Sequence, residues 1–112
     1  YEIAFTYDMS AALPRNVKYC FLAITKEALA NVVRHSNATR VSLYFCEHPG
    51  FYQMLVEDNG TDIKVKEVQI AKAQVSGIGL SNMRERVEAL GGTIAFLTDK
   101  GFEIRISIPK DM

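Results

Sequence analysis

The 112-residue chain has 48% hydrophobic and 23% charged residues, an ordinary globular mixture for one domain that buries roughly two-thirds of its unfolded surface. Its 13 Lys and Arg balance 13 Asp and Glu, so it lacks both the basic footprint of a nucleic-acid binder and a polybasic membrane patch. The longest apolar run, Tyr19 to Ile24, falls far short of the roughly 20 residues that span a bilayer.

Glu2 to Tyr7 alternates with period two and predicts a strand. Pro14 and Asn16 then precede a helical stripe through Val17, Cys20, Phe21, Ile24, Ala28 and Val32. Proline is tolerated at a helix start but not inside one, which places the boundary. Val41 to Phe45 and Phe51 to Val56 predict two strands joined by a turn at His48-Pro49-Gly50. Asp58 to Ser76 is polar, contains Lys64, Lys66 and Lys72, and reads as a mobile excursion with one helical turn near Val65 to Ala73. Leu80, Met83, Val87 and Leu90 mark a second helix, and Gly91-Gly92 supplies a left-handed stop. Thr93 to Leu97 and Phe102 to Ile108 complete the strands around a turn at Asp99-Lys100-Gly101. Helices that interrupt hairpin-forming strands predict a two-layer α/β (α+β) sandwich, a mixed and mostly antiparallel sheet with helices on one face.

Cys20 and Cys46 show neither a disulfide framework nor a zinc spacing, so both are expected to be small buried hydrophobes in a reducing cytosol. The chain starts at Tyr1 within a predicted strand, and residues 1–112 are expected to be one domain excised from a longer protein.

Three segments could carry chemistry. Glu27, Asn31 and His35 recur every fourth residue and lie above one another on a helix face, beside the apolar stripe. A solvated face shows the same spacing. In a site, the Asn31 oxygen suits one corner of an octahedral Mg²⁺ held mainly by phosphates and water. Glu27, one turn earlier, could orient or deprotonate a nucleophile, and Arg34 and His35 fall where phosphate oxygens need donors. Asp58-Asn59-Gly60 leaves a strand end, either as a plain loop start or as a carboxylate that accepts from the exocyclic amine of adenine. Gly77-Ile78-Gly79-Leu80 opens a helix, where backbone N–H groups can receive phosphate. A P-loop is excluded, because no G-x-x-x-x-G-K-[ST] occurs. A Rossmann turn fails too, because Gly77 follows a polar excursion rather than a strand.

In this order, Glu27-x-x-x-Asn31-x-x-Arg34-His35, Asp58-x-Gly60, Gly77-x-Gly79-Leu80 and a last strand after Gly101 resemble the ATP-binding catalytic domain of sensor histidine kinases. The run from Gly79 to Val87, with Asn82-Met83-Arg84-Glu85-Arg86 inside it, is similar to the nitrate, envelope-stress and thermosensor kinases. The resemblance covers essentially the whole chain and implies the GHKL (Bergerat) sandwich with ATP and Mg²⁺ as ligands. It implies Asn31 at the metal, Glu27 as the catalytic acid/base or polarising residue, and Arg34 and His35 at the phosphates. It also implies Asp58 at adenine, Gly60, Gly77 and Gly79 framing a lid, and Leu80 among the nucleotide-binding residues. The implied reaction is transfer of the γ-phosphoryl group to a histidine on a separate dimerisation domain, with a response regulator downstream. The isolated domain is expected to be a cytoplasmic monomer. Neither His35, on the ATP-binding helix, nor His48, in a turn, suits the phosphoacceptor role. Two positions depart from the family pattern: Asp62 stands where a second lid glycine is usual, and Phe102 where Thr is usual. The lid departure keeps open one alternative, a degenerate binding module without efficient turnover; a second, a serine kinase of the anti-sigma-factor type, resembles these domains too, and the Asn82-Met83-Arg84-Glu85-Arg86 run argues against it.

Overall fold

The computed structural model describes residues 2–9, 12–35, 37–60, 79–97 and 101–110, with the side chains of Arg34, His35, Leu80 and Ser81 excepted. The proposed lid, its helical turn, Asp62, Gly77 and the Asp99-Lys100 turn lie outside the described residues. In chain order the elements are β1 (Glu2–Asp8), α1 (Arg15–His35), β2 (Arg40–Glu47), β3 (Phe51–Asp58), α2 (Gly79–Ala89), β4 (Thr93–Leu97) and β5 (Glu103–Pro109).

Local chemistry sets the boundaries. The carbonyl of Pro14 accepts the first helical bond of α1 from Lys18 N–H at 2.9 Å, so the proline stands just outside the helix, where its missing donor costs nothing. At the end of α2, Gly91 takes φ +75°. Gly92 N–H donates to Val87 O, and Gly91 N–H to Glu88 O, both at 3.0 Å. These two bonds form a Schellman closure. His48 and Phe51 exchange backbone hydrogen bonds of 2.9 and 3.4 Å across Pro49-Gly50, making the predicted hairpin.

The five strands form one sheet in the order β1-β2-β3-β5-β4. β1 runs parallel to β2, and the other neighbours are antiparallel. The predicted mixed sheet is therefore found, with its parallel pair at one edge. Val41, Leu43 and Phe45 of β2, Met54 and Val56 of β3, and Ile104, Ile106 and Ile108 of β5 are buried on one face. Against that face α1 turns Val17, Cys20, Phe21, Ile24, Ala28 and Val32, and α2 turns Met83 and Val87. Cys20 is buried as expected, whereas Cys46, on the opposite sheet face, is only half-buried.

The alternation in β1 has a different outcome. A period-two pattern predicts a half-buried strand, yet Ile3, Phe5 and Tyr7 remain 55%, 62% and 52% exposed. They lie on the helix-bearing side of the sheet, but the helical layer does not reach the sheet edge. Packing width decided this, not local pattern.

Candidate functional site

The two most diagnostic residues come from distant parts of the chain and meet. Asn31 projects from α1 and Asp58 ends β3. Both line one small cavity with Ala28, Val32, Val56, Phe102 and Ile104. Their convergence follows from the core stripe: burying Ala28 and Val32 against the sheet leaves the half-buried Asn31 at the margin of that contact. The cavity measures about 10 Å³, room for roughly one water.

Backbone donors hold the Asp58 carboxylate. Oδ1 accepts from Gly60 N–H at 2.8 Å and, more weakly, from Phe102 N–H at 3.4 Å. No hydrogen bond to Oδ2 is found among the described residues. Asp58 N–H donates to Phe102 O at 3.0 Å, so the start of β5 clamps the end of β3. Gly101 makes this approach possible. It adopts φ +153°, and a Cβ there would collide with the Asp58 carbonyl oxygen.

Asn59, given no role from sequence, fixes the same corner. Its Oδ1 accepts from Thr39 N–H at 2.8 Å and Arg40 N–H at 3.0 Å. Its Nδ2 donates to Thr39 Oγ1 at 3.1 Å. The end of β3 is thereby tied to the segment leading from α1 into β2. An Asn in an Asp-Asn-Gly turn has a propensity for such side-chain-to-backbone bonds, but the identity of its partners is a tertiary matter.

Phe102, known from sequence as a departure from the family pattern, takes its packing from the tertiary structure. It is buried, forms part of the cavity wall and stacks on Phe96 with ring centroids 6.0 Å apart. Arg84 of α2 covers the other ring, its guanidinium carbon 5.7 Å from the Phe96 centroid. Among the described residues the buried Arg84 Nε has no hydrogen-bond partner, and contact with the aromatic face is the interaction seen for that side chain.

The remaining expected residues are placed less closely. Glu27 lies half-buried on α1, one turn before Asn31, and is not among the cavity walls. Arg34 and His35 occupy the last turn of α1, with side chains outside the described residues. Gly60 is buried beside Asp58 and bound to it. Gly79 and Leu80 open α2, whose first turn has no acidic residue to offset its dipole. Gly77 is outside the described residues. His48 stacks on Phe51 at 4.4 Å, and its Nε2 lies 2.9 Å from Gln53 Oε1.

A shallow groove of about 240 Å³ runs past the same corner, with Glu57, Glu103 and Arg105 among its walls. Glu57 and Glu103 are cross-strand partners. A hydrogen bond to Glu103 raises the Glu57 pKa, and burial and the Glu103 charge add to the rise, while Arg105 opposes it. Among the described residues no cluster of three or more His, Cys, Asp or Glu is arranged to hold a metal. A single Asn ligand fits Mg²⁺ coordinated mainly by phosphates and water, which needs no protein cage.

Residues 21–112 match the family described as histidine kinase-, DNA gyrase B-, and HSP90-like ATPase. The chain is 31% identical over 99 residues to the signal transduction histidine-protein kinase/phosphatase UhpB of Salmonella typhimurium, covering 88% of this chain and 19% of that protein. It is 34% identical over 99 residues to the sensor protein VraS of Staphylococcus haemolyticus, covering 87% and 27%. The chain thus spans about a fifth to a quarter of these relatives. The fold is shared with the Acinetobacter baumannii histidine kinase AdeS, at TM-score 0.71 and 17% identity over 99% of this chain and 56% of that one. It is shared also with the blue-light activated histidine kinase of Erythrobacter litoralis EL346, at TM-score 0.73 and 19% identity over 96% and 35%. An amphipathic helix with an asparagine at its margin, a sheet-end aspartate clamped beside it and these likenesses converge: the chain belongs to the histidine kinase-, DNA gyrase B- and HSP90-like ATPases, as a histidine kinase-type ATPase domain related to those of sensor kinases.

Proposed function

We propose that this domain binds Mg·ATP in the cleft marked by Asn31 and Asp58 and presents the γ-phosphoryl group to a histidine on a separate dimerisation domain. The observation that carries this reading is that Asn31 and Asp58 line a single cavity. Asp58, oriented through Oδ1 by backbone N–H groups, offers Oδ2 to the exocyclic amine of adenine. Guanine presents an oxygen at the same place and is repelled. Asn31 would hold Mg²⁺, whose bound charge offsets that of the phosphates. Glu27, one turn back on α1, orients the attacking imidazole or takes its proton. Arg34, His35 and the N-terminal turn of α2 at Gly79 and Leu80 receive phosphate oxygens, with Gly60 and Gly77 framing the lid. Phosphoryl transfer requires mainly such positioning and charge neutralisation.

The histidine belongs to another domain in this reading, so the 112-residue chain binds nucleotide but transfers phosphate poorly. A response regulator then receives the phosphoryl group, and the domain works on the cytoplasmic side. No helix among the described residues is long and apolar enough to cross a membrane. The 10 Å³ cavity and the Phe102 ring in its wall favour a second reading, a binding module that has lost efficient turnover.

Calorimetric titration separates the two. Mg·ATP binding between micromolar and sub-millimolar Kd, about −5 to −8 kcal/mol, supports the kinase domain. Absence of binding overturns it in favour of the degenerate module.

A further inference from the structure

Phe102 stands between Gly101 and Glu103, the first residue of β5, so it lies at the end of the ladder rather than within it. Its carbonyl accepts from Asp58 N–H at 3.0 Å. Its own N–H reaches Asp58 Oδ1 only at 3.4 Å, beyond the usual hydrogen-bond range. A residue anchored this lightly, next to a glycine, depends on its side chain for position. The Phe102 ring is buried and walls the cavity that Asn31 and Asp58 share.

Two elements fix that ring. Phe96 of β4 pairs with Ile104 of β5, and Ile104 lines the same cavity as Phe102, two residues earlier. Residues two apart share a sheet face, which sets Phe102 diagonally against Phe96. The rings lie 6.0 Å apart at 26°, inside the range in which aromatic pairs attract beyond simple burial. At the outer end of the stack, the Arg84 guanidinium carbon is 5.7 Å from the Phe96 centroid, near enough for the cation to be drawn to the ring face. The helix itself sets Arg84 there. Met83, beside it in α2, is buried in the core, and α2 packs on β4 and β5. Arg84, Phe96 and Phe102 thus form a continuous contact from α2 to the cavity wall.

We propose that Arg84 and Phe96 are positioning residues for the base end of the cleft: the cation steadies Phe96, Phe96 steadies Phe102, and Phe102 keeps the cavity wall and the Asp58 carboxylate in register for adenine. This rests on the nucleotide reading above and adds to it two residues that act without touching the ligand. α2 then serves both ends of the nucleotide, because the helix that carries Arg84 also opens at Gly79, the turn assigned to phosphate.

Titrations of the 112-residue chain with adenosine and with Mg·ATP, followed by NMR, test the relay, because adenosine presents the base without phosphate. Arg84→Met keeps the length of the side chain and removes its charge. It should weaken both ligands by about fivefold, the size of one cation–ring contact, with an unchanged circular dichroism spectrum. Arg84→Lys keeps a cation over the ring and should regain most of that loss, and Phe96→Leu should weaken both ligands as Arg84→Met does. Lower Mg·ATP affinity with unchanged adenosine affinity shows that Arg84 reaches the phosphates directly and overturns the proposal. Unchanged affinity for both overturns it, as does an Arg84→Lys chain as weak as Arg84→Met. Hydrogen exchange of the Asp58 amide, which bonds to Phe102 O, needs no nucleotide. It should quicken about fivefold in Arg84→Met, a loosening confined to that corner, and an unchanged rate overturns the relay. A parent chain that binds neither ligand sinks the nucleotide reading instead, and the exchange rate still judges the relay.

Discussion

Replacing Asp58 by Asn tests the proposed site most sharply, because that proposal gives the side chain two tasks on two different oxygens. Oδ1 receives Gly60 N–H at 2.8 Å and Phe102 N–H at 3.4 Å, and the proposal assigns Oδ2 to the base. A charge-assisted bond at 2.8 Å contributes about 1.5–3 kcal/mol, while one at 3.4 Å is past the usual range and adds little. Asp58→Ala should therefore cost about 2 kcal/mol of folding stability. An amide has one acceptor oxygen, so Asn can serve either the backbone or adenine but not both. With its oxygen on Gly60 N–H, a neutral bond of about half the strength remains, and stability falls by about 1 kcal/mol. The NH₂ group then faces the amine of adenine, donor against donor, and affinity for Mg·ATP should fall roughly thirtyfold, equivalent to about 2 kcal/mol. Urea unfolding and calorimetric titration measure the two quantities separately. An Asp58→Asn variant that binds Mg·ATP as tightly as the parent refutes the adenine role. One that unfolds as readily as Asp58→Ala refutes the two-oxygen division of labour.

Three further outcomes are expected. Asn31→Ala should abolish the metal-dependent part of ATP affinity and change stability by less than about 1 kcal/mol, because the residue is only half-buried; titration with and without Mg²⁺ checks this. Gly92→Ala should destabilise the domain by about 2–3 kcal/mol, since a Cβ there would sit 2.5 Å from Ser107 O and 2.9 Å from Val87 Cγ1; urea midpoints report the loss. Glu57 has a raised pKa, chiefly through its hydrogen bond with Glu103, so the folded state holds a proton that the unfolded chain has already released. This contribution is complete below the ordinary glutamate pKa and disappears as pH rises through the raised value. Stability should therefore decline above the usual carboxylate range, and Glu57→Gln should flatten that decline in unfolding midpoints measured between pH 4 and pH 7.

Part of the layout of the candidate site is legible in the sequence. Glu27 and Asn31 stand one turn apart on α1 because four residues make about one turn, and the switch from alternation to turn chemistry marks Asp58 as a strand end. What escaped was the support around them. Asn59 reaches Thr39 and Arg40, and Phe102 leans on Phe96, through contacts set by sheet pairing. The polar character of the segment after Gly60 marked a break in the core pattern, but composition alone does not assign it a conformation.

Local sequence determined the elements of this protein: the stripe that makes α1, the glycines that end α2, and the two runs of strand pattern that flank Pro49-Gly50. These depend on φ/ψ preference and on which side chains recur on one face, and both are properties of neighbouring residues. Only the tertiary structure decided that β1 lies parallel at the sheet edge with its aromatic face bare, and that Asn31 and Asp58 border the same cavity. Those outcomes depend on which strands pair and how far two helices extend across five strands. That is a competition among distant surfaces for burial, and periodicity along the chain does not encode its result.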